Sequence, residues 1–186
     1  MTTLRQPQID AAQEFYTVVV AVLRTPQGVH AVTAIAAMAR LAGTFLLRSF
    51  GLPIDQLEPG TPVLSDMAND QGPRLINILG GVLSNMDIVI DASRIDFSTP
   101  SDDKPQLTLL ETQARLEPAL TGSLQQHQLS YGEAADAAAA ATALLIAECA
   151  QIIDPHVAFN SAAFGFVEGA KTVPYRPDPA ASFKEE

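Results

Sequence analysis

From residue 130 to residue 169 the hydrophobic positions repeat with a helical period, interrupted only at Asp154-Pro155. Ser130 and Glu133 have the S-x-x-E spacing of a capping box, in which two backbone N–H groups at a helix start are satisfied reciprocally. On a wheel of 3.6 residues per turn, Ala134, Ala135, Ala138, Ala139, Thr142, Leu145, Ile146, Cys149, Ile152 and Ile153 share one side. Glu133, Asp136, Glu148 and Gln151 gather on the other. The first half of the apolar side is methyl-sized, so a neighbouring helix can approach closely, and the second half carries the larger Leu and Ile groups that fill a core. Asp154 as a cap and Pro155 as a first-turn residue then predict a second, Phe-rich helix. In it Ala158, Ala162, Gly165 and Gly169 form a small-residue ridge beside Phe159 and Phe166, with Val157 and Phe164 on the opposite face. A helix apolar nearly all round needs covering by others.

Upstream, Ile9, Ala12, Tyr16, Val19 and Leu23 predict a helix ending near Arg24, the flanking Ala, Gln and Glu outweighing the β-branched run at 17–22. After a turn at 25–28, Val32, Ile35, Ala36, Ala39, Ala42, Leu46 and Phe50 line one face of a second helix that Gly51 caps. Thr61-Pro62 reads as the cap and first turn of a third, which Gly72-Pro73 should break or kink before the pattern resumes to about residue 87. Gly80 and Gly81 in its middle each cost roughly 1 kcal/mol against Ala, which points to a close helix crossing. Residues 88–90 and 95–97 are strand-like and predict a small hairpin. Pro105 opens a further helix that Pro118 ends or kinks, with another helical piece at 119–128. The expected fold is all-α. It is a single-domain irregular bundle of about seven helical pieces over 1–172, with one short β-hairpin near 88–97 and an extended Pro-rich tail over 173–186.

Composition narrows the class. A chain of 186 residues, 47% hydrophobic, supports one sizeable core. Only 17% of it is charged, below the ~25% usual for globular domains, which fits closely packed helices and a surface partly covered by a partner. The net charge is −10, with eleven basic residues scattered among twenty-one acidic ones, and this excludes a binder of nucleic-acid backbone. The lone Cys149 allows no internal disulfide, and Met1-Thr2-Thr3-Leu4-Arg5 lacks the apolar stretch of a secretory signal, so a cytoplasmic location is expected. Arg40 and Arg48 interrupt the apolar run at 31–39 before the ~18 to 20 residues a bilayer requires, so no membrane span is expected.

Catalytic spacing is missing from the chain. His30, His127 and His156 never share a short motif, so no metal or cofactor is expected. Ser65, Ser84, Ser123 and Ser161 lack a G-x-S-x-G setting, and Cys149 falls on an apolar helix face. The constellation that remains is Arg40, Thr44 and Arg48, whose i, i+4, i+8 spacing puts two guanidinium groups and a hydroxyl on one side of an apolar helix. These arginines either pair with a carboxylate of the same chain, with Asp66, Asp70, Glu111 and Glu148 as candidates, or hold an acidic ligand. Glu168 and Lys171, one turn apart, are a weaker second pair. Two functions follow. The leading one is a non-enzymatic protein acting through contact with a protein partner, a homodimer formed through Ala158, Ala162, Gly165 and Gly169, unless that ridge is used within one chain. The alternative is a small-ligand binder or an enzyme whose pocket between helices holds an acidic group through Arg40 or Arg48.

Overall fold

Sixteen of the nineteen residues of one helix, Ala31–Ser49, are buried, and the other helices are arranged around it. The computed structural model describes residues 3–95 and 104–176. Within them the α-helices are α1 Gln6–Leu23, α2 Ala31–Ser49, α3 Asp66–Asn85, α4 Leu109–Gln126, α5 Tyr131–Cys149 and α6 Pro155–Ala170, with short 3₁₀ turns at Ile54–Gln56 and Ala92–Arg94. The fold is an all-α single domain. Helix directions alternate along the chain. Thr44 and Arg48 of α2 meet Gln113 and Glu117 of α4 in step, and Gly43 meets Gly169 while Ala39 meets Gly165, so α2, α4 and α6 run one way. Gln8 contacts Asp136, Ser49 lies against Gly132, and α3 bonds near its start to Lys171 while the segment after it bonds to His156, so α1, α3 and α5 run the other way.

Small residues decide how closely these helices approach. In α5 not only the predicted alanines but also Ala137, Ala140, Ala141 and Ala143 are buried, because α1, α2 and α3 cover it on several sides. Between α2 and α6 the contact is backbone on backbone. A Cβ added at Gly169 would overlap the Arg40 carbonyl oxygen and lie 2.8 Å from the Thr44 nitrogen, and one at Gly165 would lie 2.8 Å from Ala39 Cβ. Ala158 and Ala162 are buried in the same interface. The ridge is therefore used within the chain and offers no free surface for a homodimer. Gly80 and Gly81 differ, because a Cβ at either would meet nothing within 4 Å, so no close crossing accounts for them.

The N-terminal caps of α5 and α6 form where the spacing placed them: Ser130 with Glu133, and Asp154 ahead of Pro155. Other boundaries moved. The third helix starts at a Ser65 cap rather than at Thr61-Pro62, because 60–63 is taken up by backbone bonds to the chain after α6: Val63 N–H to Lys171 O at 2.7 Å and Val173 N–H to Thr61 O at 2.9 Å. Pro73 and Pro118 stay inside α3 and α4 without ending them. Both rings face outward, so the missing N–H falls on the solvent side while Leu75, Leu79, Leu116 and Leu120 remain fully buried. The fourth helix opens at a Thr108–Glu111 capping box rather than at Pro105, and it absorbs the piece expected at 119–128. Among the described residues no strand forms, so the expected hairpin is absent through residue 95; residues 96 and 97 lie outside the described residues. After the expected first arm, Asp91 instead gives its N–H to His156 and the chain turns through Ala92–Arg94.

Ile152 is 75% exposed, since α5 ends at Cys149 and both Ile152 N–H and Ile153 N–H fold back onto the Cys149 carbonyl. Of the tail, 173–176 is described, with Val173 and Pro174 buried; 177–186 lies outside the described residues. Among the described residues α2 is the one helix long and apolar enough to cross a bilayer, and 89% of that stretch is buried inside the protein.

The glycine contacts carry a direct test. Gly169→Ala should lower the unfolding free energy by about 3 kcal/mol, because backbone must move to admit the methyl. Gly80→Ala, with open space around it, should raise stability by about 0.5 to 1 kcal/mol. Urea titration of the two variants checks both, and a neutral Gly169→Ala would contradict the close crossing.

Candidate functional site

Arg40, Thr44 and Arg48 do share one side of α2, and they form a polar seam with α4 and α6. Arg40 Nε donates to Glu168 Oε2 at 2.6 Å and its Nη1 to the Leu107 carbonyl at 2.5 Å. Gln113 Nε2 donates to Thr44 Oγ1 at 3.0 Å. Arg48 Nε donates to Glu117 Oε1 at 2.7 Å and Nη2 to the Tyr175 carbonyl at 2.7 Å. Its guanidinium also lies 6.0 Å from the centroid of the Tyr131 ring, which stacks on Phe45. Four-residue steps on α2 thus match four-residue steps on α4.

Both arginines pair with carboxylates of the chain, but none of Asp66, Asp70, Glu111 and Glu148 is the partner. The tertiary fold brings Glu117 and Glu168 instead. The two pairs differ in environment. The Arg48 and Glu117 side chains are 7% and 12% exposed, whereas Glu168 is 43% exposed beside Arg40. Burial pushes the Glu117 carboxyl above its ordinary value, and the hydrogen bond and charge of Arg48 pull it partly back. Glu168 therefore belongs with Arg40 rather than with Lys171, whose Nζ donates to Asn69 Oδ1 at 2.7 Å. Within the seam Gln113 Oε1 is the one buried acceptor without a hydrogen-bond partner.

A second buried charge was placed on the wrong side by the helical wheel. Asp136 is 6% exposed, and its Oδ1 lies 2.9 Å from Arg74 Nε, close enough for an ion pair though not aligned as a hydrogen bond. Gln8 Nε2 reaches its other oxygen at 3.4 Å, so the group ties α1, α3 and α5 together. Burial raises the Asp136 carboxyl, with Arg74 the main opposing influence. The available signal was a single acid surrounded by alanines, which has no wet face to occupy once neighbours cover the helix.

The histidines serve local bonds. Ser123 Oγ donates to Glu14 Oε1 at 2.6 Å and His127 Nε2 lies 2.7 Å from Glu14 Oε2, which together hold the Glu14 carboxyl below its ordinary value. Both groups converge on the carboxylate rather than on each other, so His127 is not the acceptor of the Ser123 hydroxyl. His156 Nε2 accepts the Asp91 N–H at 3.1 Å, which leaves Nδ1 to donate to Asp154 Oδ1 at 2.9 Å. His30 Nδ1 lies 2.7 Å from Thr33 Oγ1. Among the described residues no group of three His, Cys, Asp or Glu side chains could hold a metal ion. Cys149 is half-buried rather than in the core, and burial followed by the nearby Glu148 pushes its thiol up.

The chain matches no protein-family model, no curated protein and no solved structure. Function therefore rests on these side chains alone. Arg40 and Arg48 each place two donors on protein acceptors, so an acidic ligand at either would compete with Glu168 or Glu117. A cavity of about 440 Å³ does open nearby, between the α1–α2 turn and the approach to α4, lined by His30, Thr33 and Arg115 among others.

Arg48→Ala should cost about 3 to 5 kcal/mol by stranding a buried carboxylate, while Arg40→Ala, whose partner is half-exposed, should cost about 1 kcal/mol. Without Arg48 the folded-state pKa of Glu117 rises further above its unfolded value, so the folded state binds more protons as pH climbs from the unfolded value. The Arg48→Ala deficit should accordingly be smallest near pH 4 and grow toward neutrality. Urea unfolding at several pH values reads both effects; equal, pH-independent losses in the two variants would refute the assignment.

Proposed function

We propose that this chain is a non-enzymatic helical protein that works through protein contact and pairs with a second copy of itself through the outer face of α6. The carrying observation is the distribution of large exposed apolar side chains. Helix α6 presents Val157 and Val167, whereas α1 and α3 expose one each, Ile9 and Met67, and α2, α4 and α5 none. Positions 157 and 167 fall on one side, away from the ridge that packs on α2. Burying that side removes apolar area from water, which is the usual driving force of association.

Charge supports a second copy as the partner. Two chains of net charge −10 repel over most of their surface. The one exposed charge on α6 is Glu168, and Arg40 already offsets it, so this face carries no unpaired acid. A two-fold pairing that lays α6 on α6 meets the least repulsion. The proposed setting is the cytoplasm, where the single thiol of Cys149 stays reduced.

Light scattering across a range of concentrations should show a dimer that dissociates on dilution. The double substitution Val157→Glu with Val167→Glu should give a monomer whose melting temperature is close to that of the diluted parent, since exposed changes are worth within about 0.5 kcal/mol. A parent chain that stays monomeric at every concentration would overturn the proposal.

A further inference from the structure

The cavity beside the α1–α2 turn differs in charge from the rest of this acidic chain. Among the described residues its lining contains Arg115 and no carboxylate, in a chain with twenty-one acidic and eleven basic residues. Arg5, Arg40, Arg48, Arg74 and Arg94 each lie within ion-pair distance of an Asp or Glu. Arg115 has no such partner among the described residues, and its hydrogen bond is a long one, 3.4 Å to the Val22 carbonyl. Most of its donors are therefore open.

The rest of the lining divides in two. Leu23, Val29 and Leu107 supply an apolar wall, and His30 and Thr33 bring the first turn of α2 to the other side. His30 caps α2 without a side-chain cap bond, so the partial positive charge of that helix end adds to the field of Arg115. A volume of about 440 Å³ is in the range of small-molecule sites. One guanidinium offers a two-pronged match to a single carboxylate, whereas a doubly charged phosphate ester would call for more cations than this wall holds.

We propose that this cavity binds a small monocarboxylate with a short apolar body, its carboxylate on Arg115 and its chain against Leu23, Val29 and Leu107. The inference is independent of pairing through α6. Hexanoate, added to the full chain, should shift the methyl resonances of those three residues saturably. The neutral 1-hexanol should bind at least about tenfold more weakly, the value of one charge-assisted hydrogen-bonded contact. Arg115→Gln should weaken hexanoate by a similar factor and leave hexanol unchanged; Arg115 is exposed, so the fold should be kept, and an unaltered melting temperature verifies that. The parent chain compared with hexanoate and hexanol needs no variant. Absence of saturable shifts, equal binding of hexanol, or displacement of hexanoate by inorganic phosphate at matched concentration would each overturn the proposal.

Discussion

The backbone contact of α2 with α6 at Gly43, Gly165 and Gly169 sets the spacing on which the rest of the bundle depends. No side chain separates the two helices at Gly43 and Gly169, so dispersion contacts run between main chains. Glu168 reaches Arg40 because α6 lies that close. The chain leaving α6 then passes beside 60–63 and is fixed by backbone hydrogen bonds, and the Tyr175 carbonyl arrives at Arg48. Alanine plays the corresponding part in α5, whose methyl-sized sides admit α1, α2 and α3 together.

Close packing leaves few places for charge, and those few are matched. Arg48 with Glu117 and Arg74 with Asp136 each connect different helices, and each carboxylate is pushed up by burial and pulled down by its arginine. Such pairs add little net stability, because desolvation offsets most of the attraction. Their effect is on register. A slip of α4 by one turn along α2 would move Glu117 away from Arg48 and leave two buried charges unpaired, which the low-dielectric interior penalises heavily. Among the lowered carboxylates, Glu111, Glu133 and Asp154 sit at helix starts and accept backbone N–H bonds, whereas Glu14 is held down by Ser123 and His127.

Helix α6 shows how one apolar element can serve two purposes. Its small-residue side is consumed by α2, and its larger outer side chains, Val157 and Val167, remain exposed. The features that draw the eye in the sequence, the ridge and the two seam arginines, both make contacts within the fold. The surfaces proposed for function are ones no motif marks: the outer side of α6 and the cavity beside Arg115.

Local chemistry explains why parts of this architecture are legible in the sequence. The all-α class, the cap at Ser130, the start of α6 at Asp154-Pro155 and the burial of Leu145 and Ile146 follow from propensity, capping and period, each acting over a few residues. What lies across the chain is not encoded in spacing. That Glu117 and Glu168 rather than Asp66 or Glu148 meet the arginines depends on where α4 and α6 come to rest. That Thr61-Pro62 pairs with the segment after α6, and that Pro73 and Pro118 leave their helices intact, depends on which side faces solvent. The wheel likewise assumed one wet side for α5, whereas Asp136 is enclosed because three helices cover it. The small-residue ridge specified close approach but not its partner: a stripe of Ala and Gly fits any backbone, and only the packed fold decided that the backbone would be α2 of the same chain.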